Sequence, residues 1–572
     1  MIPTMSDQLD HDLRNRHKND PFEDDDDDRL FHTSMNGSVF ADQLIHGVDP
    51  GILQGSELNT CEILMEQVRE AAEQAKETFV AHMENHLRDL KDTMKYGCSV
   101  KQDRREDVDS KEKRKETRVS ENQFVPRKSL LTELLQNKNI QTVNNIFVAV
   151  LVVIILNSAL LQYLRVGSVS ETFELAFWCL GKIPHVLYIW CQMMLWTTAV
   201  FFGTLSYWAH HPDPSSGPMM IPHIGWLLLY ICGILAFLMY PPCAIIIHNL
   251  PILSSFIILL EQVRLLMKMH AFLRIIVPRA LSWKQKVSGV NEATTNGRIE
   301  SRSVSKVAGE HAPCPDFSLF LYYLFAPTLI YQDKYPMTDR IRWDVVRKNF
   351  FQCFVTGCYI FLMVVHFALP VTEKFAQEHY TIRDFIRTTF TFMIPAGACL
   401  FLGFYLILHC WLNAWAEMMR FADRLFYKDW WNSTSFASYY RDWNLVVHNW
   451  LYTYFYKDLR AIGLGPKMSL ISVFLLSAFF HEYIIAVALR FCYPVLFVLF
   501  GIFGVMFMFV PDLGSANLRG TLVWLILFIG SGILLCLYSF EWFSRKNCPG
   551  DYEWYLDIFV PRSLVCNKLQ FV

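Results

Sequence analysis

The chain has 572 residues, 53% hydrophobic and 15% aromatic, with a formal net charge of only −2. That is too apolar for an ordinary soluble domain, and the near-neutral balance argues against a nucleic-acid partner. The charges crowd into the first quarter, so a polar N-terminal region is expected to precede a membrane domain.

Residues 1–60, with Asp24 to Asp28 in a row, read as a disordered acidic tail. No apolar leader opens the chain, so this tail is expected in the cytosol. Over 61–98, Leu64, Val68, Ala72, Ala75, Phe79, Met83, Leu87, Leu90 and Met94 recur every three or four residues. They predict an amphipathic helix of about ten turns. An apolar stripe that long calls for a partner, so self-association is expected, with a surface helix as the alternative. The basic run "KQDRREDVDSKEKRKETR" follows, then "VPRKSLLTELL", a short helix suited to a bilayer surface; together they fill 99–140.

A membrane-embedded domain is expected over 141–547. Runs long enough to cross ~30 Å of hydrocarbon lie near 145–164, 187–209, 223–247, 252–272, 345–369, 389–413, 468–489, 492–510 and 520–541. The predicted fold is an all-α polytopic membrane protein with about nine transmembrane helices. The basic linker around 284–313 and the loop 414–467 should be cytosolic, the latter carrying Arg420, Arg424, Lys428, Arg441, Lys457, Arg460 and Lys467. An odd span count then puts the tail 548–572 in the lumen, where Cys548 and Cys566 can pair. None of the fifteen cysteines shows C-x-x-C spacing, so no metal site is expected. The sequon Asn432-Ser433-Thr434 would go unused in a cytosolic loop.

His481 sits inside the apolar run "SAFFHEYIIAVAL", where an ionisable side chain is functional by default. Ser477 lies one turn before it on the same face, whereas Glu482 is rotated by about 100°. "HEYII" lacks the second histidine of H-E-x-x-H, so a metalloprotease is excluded. A neutral imidazole can take the proton of an alcohol. No G-x-S-x-G or supported cysteine nucleophile occurs, which leaves direct attack on an already activated acyl donor. In the loop, Arg441, Asn444 and His448 fall at i, i+3 and i+7, with Tyr452 extending the row along one face of a continuous helix. Arg441, Lys457 and Lys467 can grip phosphates. Trp430, Trp431, Trp443 and Trp450 suit the headgroup boundary.

At "FYKDWWN", Phe426, Tyr427, Lys428, Asp429, Trp430, Trp431 and Asn432, the chain resembles the membrane-bound O-acyltransferases, and among them the sterol O-acyltransferases. The likeness runs on through "STSFASYYRDWNLVVHNWLYTYFYKDL", "SAFFHEY", "YPVLFVLF", "LLCLYSFEW" and "VPRS", and back to "VPRKSLLTELL". Related diacylglycerol acyltransferases show FYREWWN; Lys428 and Asp429 favour the sterol branch. The resemblance implies a nine-helix endoplasmic-reticulum enzyme, dimeric or tetrameric through its N-terminal region. It would transfer a long-chain acyl group from a co-substrate such as oleoyl-CoA to the 3β-hydroxyl of cholesterol or a related sterol, with no permanently bound cofactor.

The same resemblance implies that His481 is catalytic, with Asn444 steadying the carbonyl oxyanion. It also implies that Arg441, Asn444, His448, Tyr456, Lys467 and Ser477 contact acyl-CoA, and that Cys548 and Cys566 form a lumenal disulfide. Two positions depart from the family pattern: Ser438 stands where asparagine is usual, and "VNNIF", with Asn145, where a sterol-contacting histidine is usual. The rival readings are a diacylglycerol or other lipid-alcohol acyltransferase, and a transporter using His481 as a proton relay. The transporter predicts internal hydropathy repeats, and none is found.

Overall fold

A computed structural model describes residues 69, 124–167, 170–211, 220–295, 313–372, 375, 381–510, 514–548 and 554–565. The chain divides into two units, 1–118 and 119–572, and every described residue except Arg69 belongs to the second. The expected acidic tail, the oligomerisation helix apart from Arg69, the basic run to 118, the centre of the linker and Cys566 lie outside the described residues.

Among the described residues the secondary structure is helical, with two isolated β-bridges and no strands. Helix α1, Lys138–Val166, begins where the Asn137 side chain accepts the Asn139 N–H and ends at Gly167, whose φ of 74° suits glycine. Ile146, Phe147, Leu156 and Leu160 on it are exposed, as side chains facing lipid must be. Helix α2, Ile183–Leu195, continues through a π-helical stretch to His210. Helix α3 is Met220–Ile247 and α4 is Ile252–Thr295. Helix α5, Trp343–Met363, and α6, Ile382–Phe404, likewise run on through π-helical turns, α6 starting from a Thr381–Asp384 capping box. Two short helices follow, α7 at Phe436–Trp443 and α8 at Leu445–Leu451, then the membrane helices α9, Pro466–Leu489, and α10, Ala516–Asn547.

Seven helices among the described residues are long and apolar enough to cross a membrane. The other two expected spans differ for physical reasons. At 44 residues, α4 would extend ~66 Å, about twice a hydrocarbon core. Charged residues in its first half are satisfied by protein: Arg264 pairs with Glu261 at 2.6 Å and donates to the Leu324 carbonyl, and buried Lys268 donates to the Tyr323 and Ala326 carbonyls. Near 492–510 the chain first runs without helix, and its helical part, Phe497–Met508, is short.

Helix α4 is the post against which the site is built. Its Gln262 donates to the Phe237 and Leu238 carbonyls of α3 and accepts the Tyr483 hydroxyl of α9 at 2.9 Å. Its Met267 carbonyl accepts the Trp450 indole of α8 at 2.8 Å. On the other side, α6 and α10 lie close because glycines face their neighbours. A Cβ at Gly532 would come 2.8 Å from the Thr389 carbonyl oxygen, a backbone atom with no rotamer to escape into. Gly532→Val should therefore destabilise the protein by about 1–3 kcal/mol, read as a lowered thermal unfolding midpoint of the purified protein in detergent.

Candidate active site

The FYKDWWN segment is a buried wedge. Phe426, Tyr427 and Trp430 are each exposed by 2% or less. Trp430 packs edge-on against Trp443 and Phe404, with ring centroids 4.5 and 4.9 Å apart. The expectation that Trp430 marks a headgroup boundary is thus corrected: it is core. The Tyr427 hydroxyl meets His409 Nδ1 at 2.7 Å and the Ser129 hydroxyl at 2.9 Å. Burial pushes that phenol up to about 12, so it remains a neutral donor at working pH. Before the wedge, buried Glu417 accepts from the Arg342 backbone and guanidinium, each at 2.9 Å, and from Arg424. Arg424, expected among the loop's topology-setting cations, is instead an internal partner.

Two backbone hydrogen bonds join this wedge to the chain about fifteen residues on. Lys428 N–H donates to the Asp442 carbonyl at 2.9 Å, and Leu445 N–H to the Phe426 carbonyl at 2.9 Å. Between them Asn444 adopts φ −142° and ψ 90°, so the helix breaks there into α7 and α8. This corrects the expectation of one continuous face: Arg441 lies on α7, Asn444 at the break, and His448 on α8. Asn444 Oδ1 caps α8 by accepting the Val447 N–H at 3.1 Å. A single amide oxygen so engaged fixes the plane of the side chain. No described residue accepts from its Nδ2 hydrogens, which leaves two donors for a ligand.

Arg441 is held by its neighbour Asp442 through Nε and Nη2 at 3.1 and 2.9 Å, with the side chain 56% exposed. Beyond α8 a π-helical turn, Tyr452–Tyr456, stacks Tyr452 on Tyr456 at 5.6 Å, with Lys457 over the Tyr452 ring. Lys467 is exposed in the first turn of α9. Ser438 turns its hydroxyl back to the Ser435 carbonyl at 2.8 Å.

On α9, His481 Nδ1 lies 2.7 Å from the Ser477 carbonyl. A carbonyl can only accept, so Nδ1 carries a hydrogen and Nε2 is the ring nitrogen left free of the helix backbone. Ser477 thus acts here through its backbone, one turn before the imidazole. His481 is exposed in the isolated chain, its ring 5.5 Å from Phe500. Glu482 points elsewhere, as its rotation on the helix requires. Buried, it accepts the Tyr538 hydroxyl of α10 at 2.8 Å and the Phe497 N–H at 3.0 Å, where a second π-helical stretch begins. Tyr440 of α7 packs on Phe474 of α9 and on Phe500, at 5.0 and 5.1 Å, so aromatic rings run from the loop to the His481 side.

In the last turns of α10, buried Glu541 accepts from Arg545 Nε at 2.6 Å and from the backbone N–H groups of Arg562 and Ser563. Arg562 donates to Asp557 and to the Cys548 carbonyl, folding the "VPRS" stretch onto the helix end. Cys548 is disulfide-bonded. No group of three or more His, Cys, Asp or Glu side chains placed to hold a metal occurs among the described residues. Sequence reasoning missed Glu417, Tyr538 and Asp423. Each has at least one partner more than fifty residues away, Arg342 for Glu417, Glu482 for Tyr538 and Arg127 for Asp423, and only the rarity of a buried carboxylate in an apolar run could have flagged the first.

The family profile described as MBOAT, membrane-bound O-acyltransferase family, matches residues 252–540. The chain is 39% identical to sterol O-acyltransferase 1 of Cricetulus griseus over 449 residues, which is 78% of each protein. It is 40% identical to sterol O-acyltransferase 1 of Chlorocebus aethiops over 450 residues, again 78% of each. With sterol O-acyltransferase 2 of Homo sapiens it shares 36% over 447 residues, 78% of this chain and 80% of that protein.

The Glu482 contacts carry their own test. Glu482→Ala leaves the Tyr538 hydroxyl and the Phe497 N–H buried without an acceptor, at about 1–3 kcal/mol for each. Tyr538→Phe takes one donor from Glu482 and the acceptor from the Leu496 N–H, leaving a single orphaned N–H at about 1–3 kcal/mol. Thermal unfolding in detergent should rank wild type above Tyr538→Phe, and that above Glu482→Ala.

Proposed function

The chain belongs to the membrane-bound O-acyltransferase family, and we propose that it is an acyl-CoA-dependent sterol O-acyltransferase. In this reading it moves a long-chain fatty acyl group from coenzyme A to the 3β-hydroxyl of cholesterol or a related sterol. The observation that carries the reading is the Nδ1–H bond from His481 to the Ser477 carbonyl. It ties Nδ1 to the helix backbone and turns Nε2 outward, and in a neutral imidazole Nε2 is then the acceptor that removing a proton from a lipid alcohol requires.

The chemistry then runs in one pass. The sterol oxygen attacks the thioester carbon as His481 Nε2 takes its proton. The carbonyl oxygen becomes an oxyanion and accepts from the outward Nδ2 hydrogens of Asn444. Collapse of the tetrahedral species breaks the carbon–sulfur bond, and the imidazolium returns its proton to the coenzyme A thiolate. No acyl-enzyme is needed, because the thiolate is already a competent leaving group. Arg441 and Lys467 would meet the phosphates, and His448, Tyr456 and Ser477 the rest of the co-substrate. The apolar surroundings keep water from taking the acyl group.

We place the protein in the endoplasmic-reticulum membrane as a homodimer or homotetramer, N-terminus cytosolic and C-terminus lumenal, with Cys548 joined to Cys566. In that orientation Asn432 is cytosolic and stays unmodified, although its side chain is exposed. Endoglycosidase treatment of the membrane-expressed protein should leave its gel mobility unchanged, and a shift abolished by Asn432→Gln would reverse the orientation.

The function itself is tested with purified protein, labelled oleoyl-CoA and sterol. His481→Ala should lose nearly all turnover while retaining the wild-type unfolding midpoint. Asn444→Ala should lose roughly 10²–10³-fold in kcat, the usual worth of one oxyanion donor, about 3–4 kcal/mol. Diacylglycerol supplied in place of sterol should give product at background only. Ester formation from diacylglycerol and not from sterol would assign the other lipid-alcohol activity.

A further inference from the structure

The stretch just before α1 does more than lead into the membrane. Residues 124–129 run beside the approach to the FYKDWWN wedge and are buckled to it. Arg127 N–H donates to the Ala422 carbonyl at 3.0 Å, and Arg424 N–H to the Arg127 carbonyl at 3.2 Å. One carboxylate gathers the rest. Asp423, 7% exposed, takes the Val125 N–H at 3.1 Å and the Arg127 guanidinium at 3.1 Å on Oδ2. Its Oδ1 takes the Leu425 N–H at 3.2 Å.

We propose that Asp423 is a positioning residue for the reaction, holding the strap 124–129 and the wedge in the one register that sets the Asn444 turn. The proposal rests on the role given above to Asn444. The route is short and covalent for most of its length. From Asp423 it passes through Leu425 to Phe426, whose carbonyl accepts the Leu445 N–H, the residue next to Asn444. A cavity of about 50 Å³ lies between the strap and α8, bordered by Phe124, Arg127, Phe426, Val446 and Asn449. The strap therefore does not brace α8 by close packing at this point, and its influence on the turn passes through the wedge backbone. A neutral amide at 423 has one acceptor oxygen and cannot serve both sides: with it at the Oδ2 position the NH2 confronts the Leu425 N–H, and with it at the Oδ1 position the NH2 confronts the Val125 N–H and the Arg127 guanidinium, so either way the link between strap and wedge is cut.

A double-mutant cycle separates positioning from plain stability, because residues acting through one another are non-additive. In full-length protein, Asp423→Asn should lower kcat about tenfold with the KM for acyl-CoA within twofold of wild type. In the Asn444→Ala background the same change should cost less than twofold, since the group it positions is gone. Arg127→Gln, which keeps both backbone bonds to Asp423, should give a smaller loss with the same non-additivity, and it serves as the test if Asp423→Asn fails to fold. Wild-type kcat in Asp423→Asn, or an equal fold-loss in both backgrounds, overturns the proposal. Wild-type kcat in Asn444→Ala instead defeats the reading of the site itself, so the two failures are distinguishable.

Discussion

Two backbone hydrogen bonds, Lys428 to Asp442 and Leu445 to Phe426, hold a break in a helix at Asn444, the residue proposed to meet the ligand. Helical continuity through residues 436–451 would satisfy those N–H and carbonyl groups internally. In apolar surroundings an interruption survives only if other protein groups take the freed partners. The wedge supplies them. Its aromatic side chains are buried so that its backbone, not its side chains, can serve the neighbouring turn. That accounts for a motif dense in tryptophan and tyrosine whose residues stand back from the candidate reacting groups.

Rigidity is distributed around this turn in a consistent way. Helix α4 supports α8 through the Trp450 indole and α9 through the Tyr483 hydroxyl. Glu417 and Glu482, both buried, draw donors onto one carboxylate: four N–H groups of Arg342 and Arg424 in the first case, the Tyr538 hydroxyl and the Phe497 N–H in the second. A buried charge is tolerable only when several donors converge on it, and that convergence fixes the elements that provide them. Both π-helical stretches next to the site, Tyr452–Tyr456 and Phe497–Phe503, adjoin such fixed points. An extra residue in a turn re-aims the side chains after it, as with Tyr452 and Tyr456, which stack four residues apart.

Much of this was legible from periodicity and composition, and the remainder was hidden for definable reasons. Long apolar runs revealed the seven helices of membrane-crossing length among the described residues, and the isolation of His481 in such a run revealed the candidate base. The capping preference of asparagine before "LVV" was also present in the sequence, yet i, i+3, i+7 spacing is equally compatible with an unbroken helix, and the break is decided by tertiary pairing with the wedge. Trp430 looked interfacial because tryptophan usually is; its burial depends on Phe404 and Trp443, which local composition does not reveal. Helix α4 resembled a simple span because its apolar content is high, while its Arg264 and Lys268 donate to carbonyls some sixty residues away in sequence. Asp423 gave no local signal, since the Val125 and Arg127 groups that define its role lie nearly three hundred positions earlier.

The adjacent residues His481 and Glu482 show how one helical step separates two tasks. Had the carboxylate faced the imidazole, the pair would have placed a negative charge beside the base and raised its affinity for a proton before any alcohol arrived. Rotation on the helix sends Glu482 to Tyr538 and leaves the histidine tautomer to be fixed by a backbone carbonyl, which directs the ring without adding net charge. On the proposed mechanism this matters most at the tetrahedral stage. The imidazolium then forms together with the oxyanion, so the only charges created are a facing pair of opposite sign, and they vanish when the thiolate takes the proton. In apolar surroundings a transition that creates no net charge is the least costly one available, and a base without a carboxylate partner follows from that constraint.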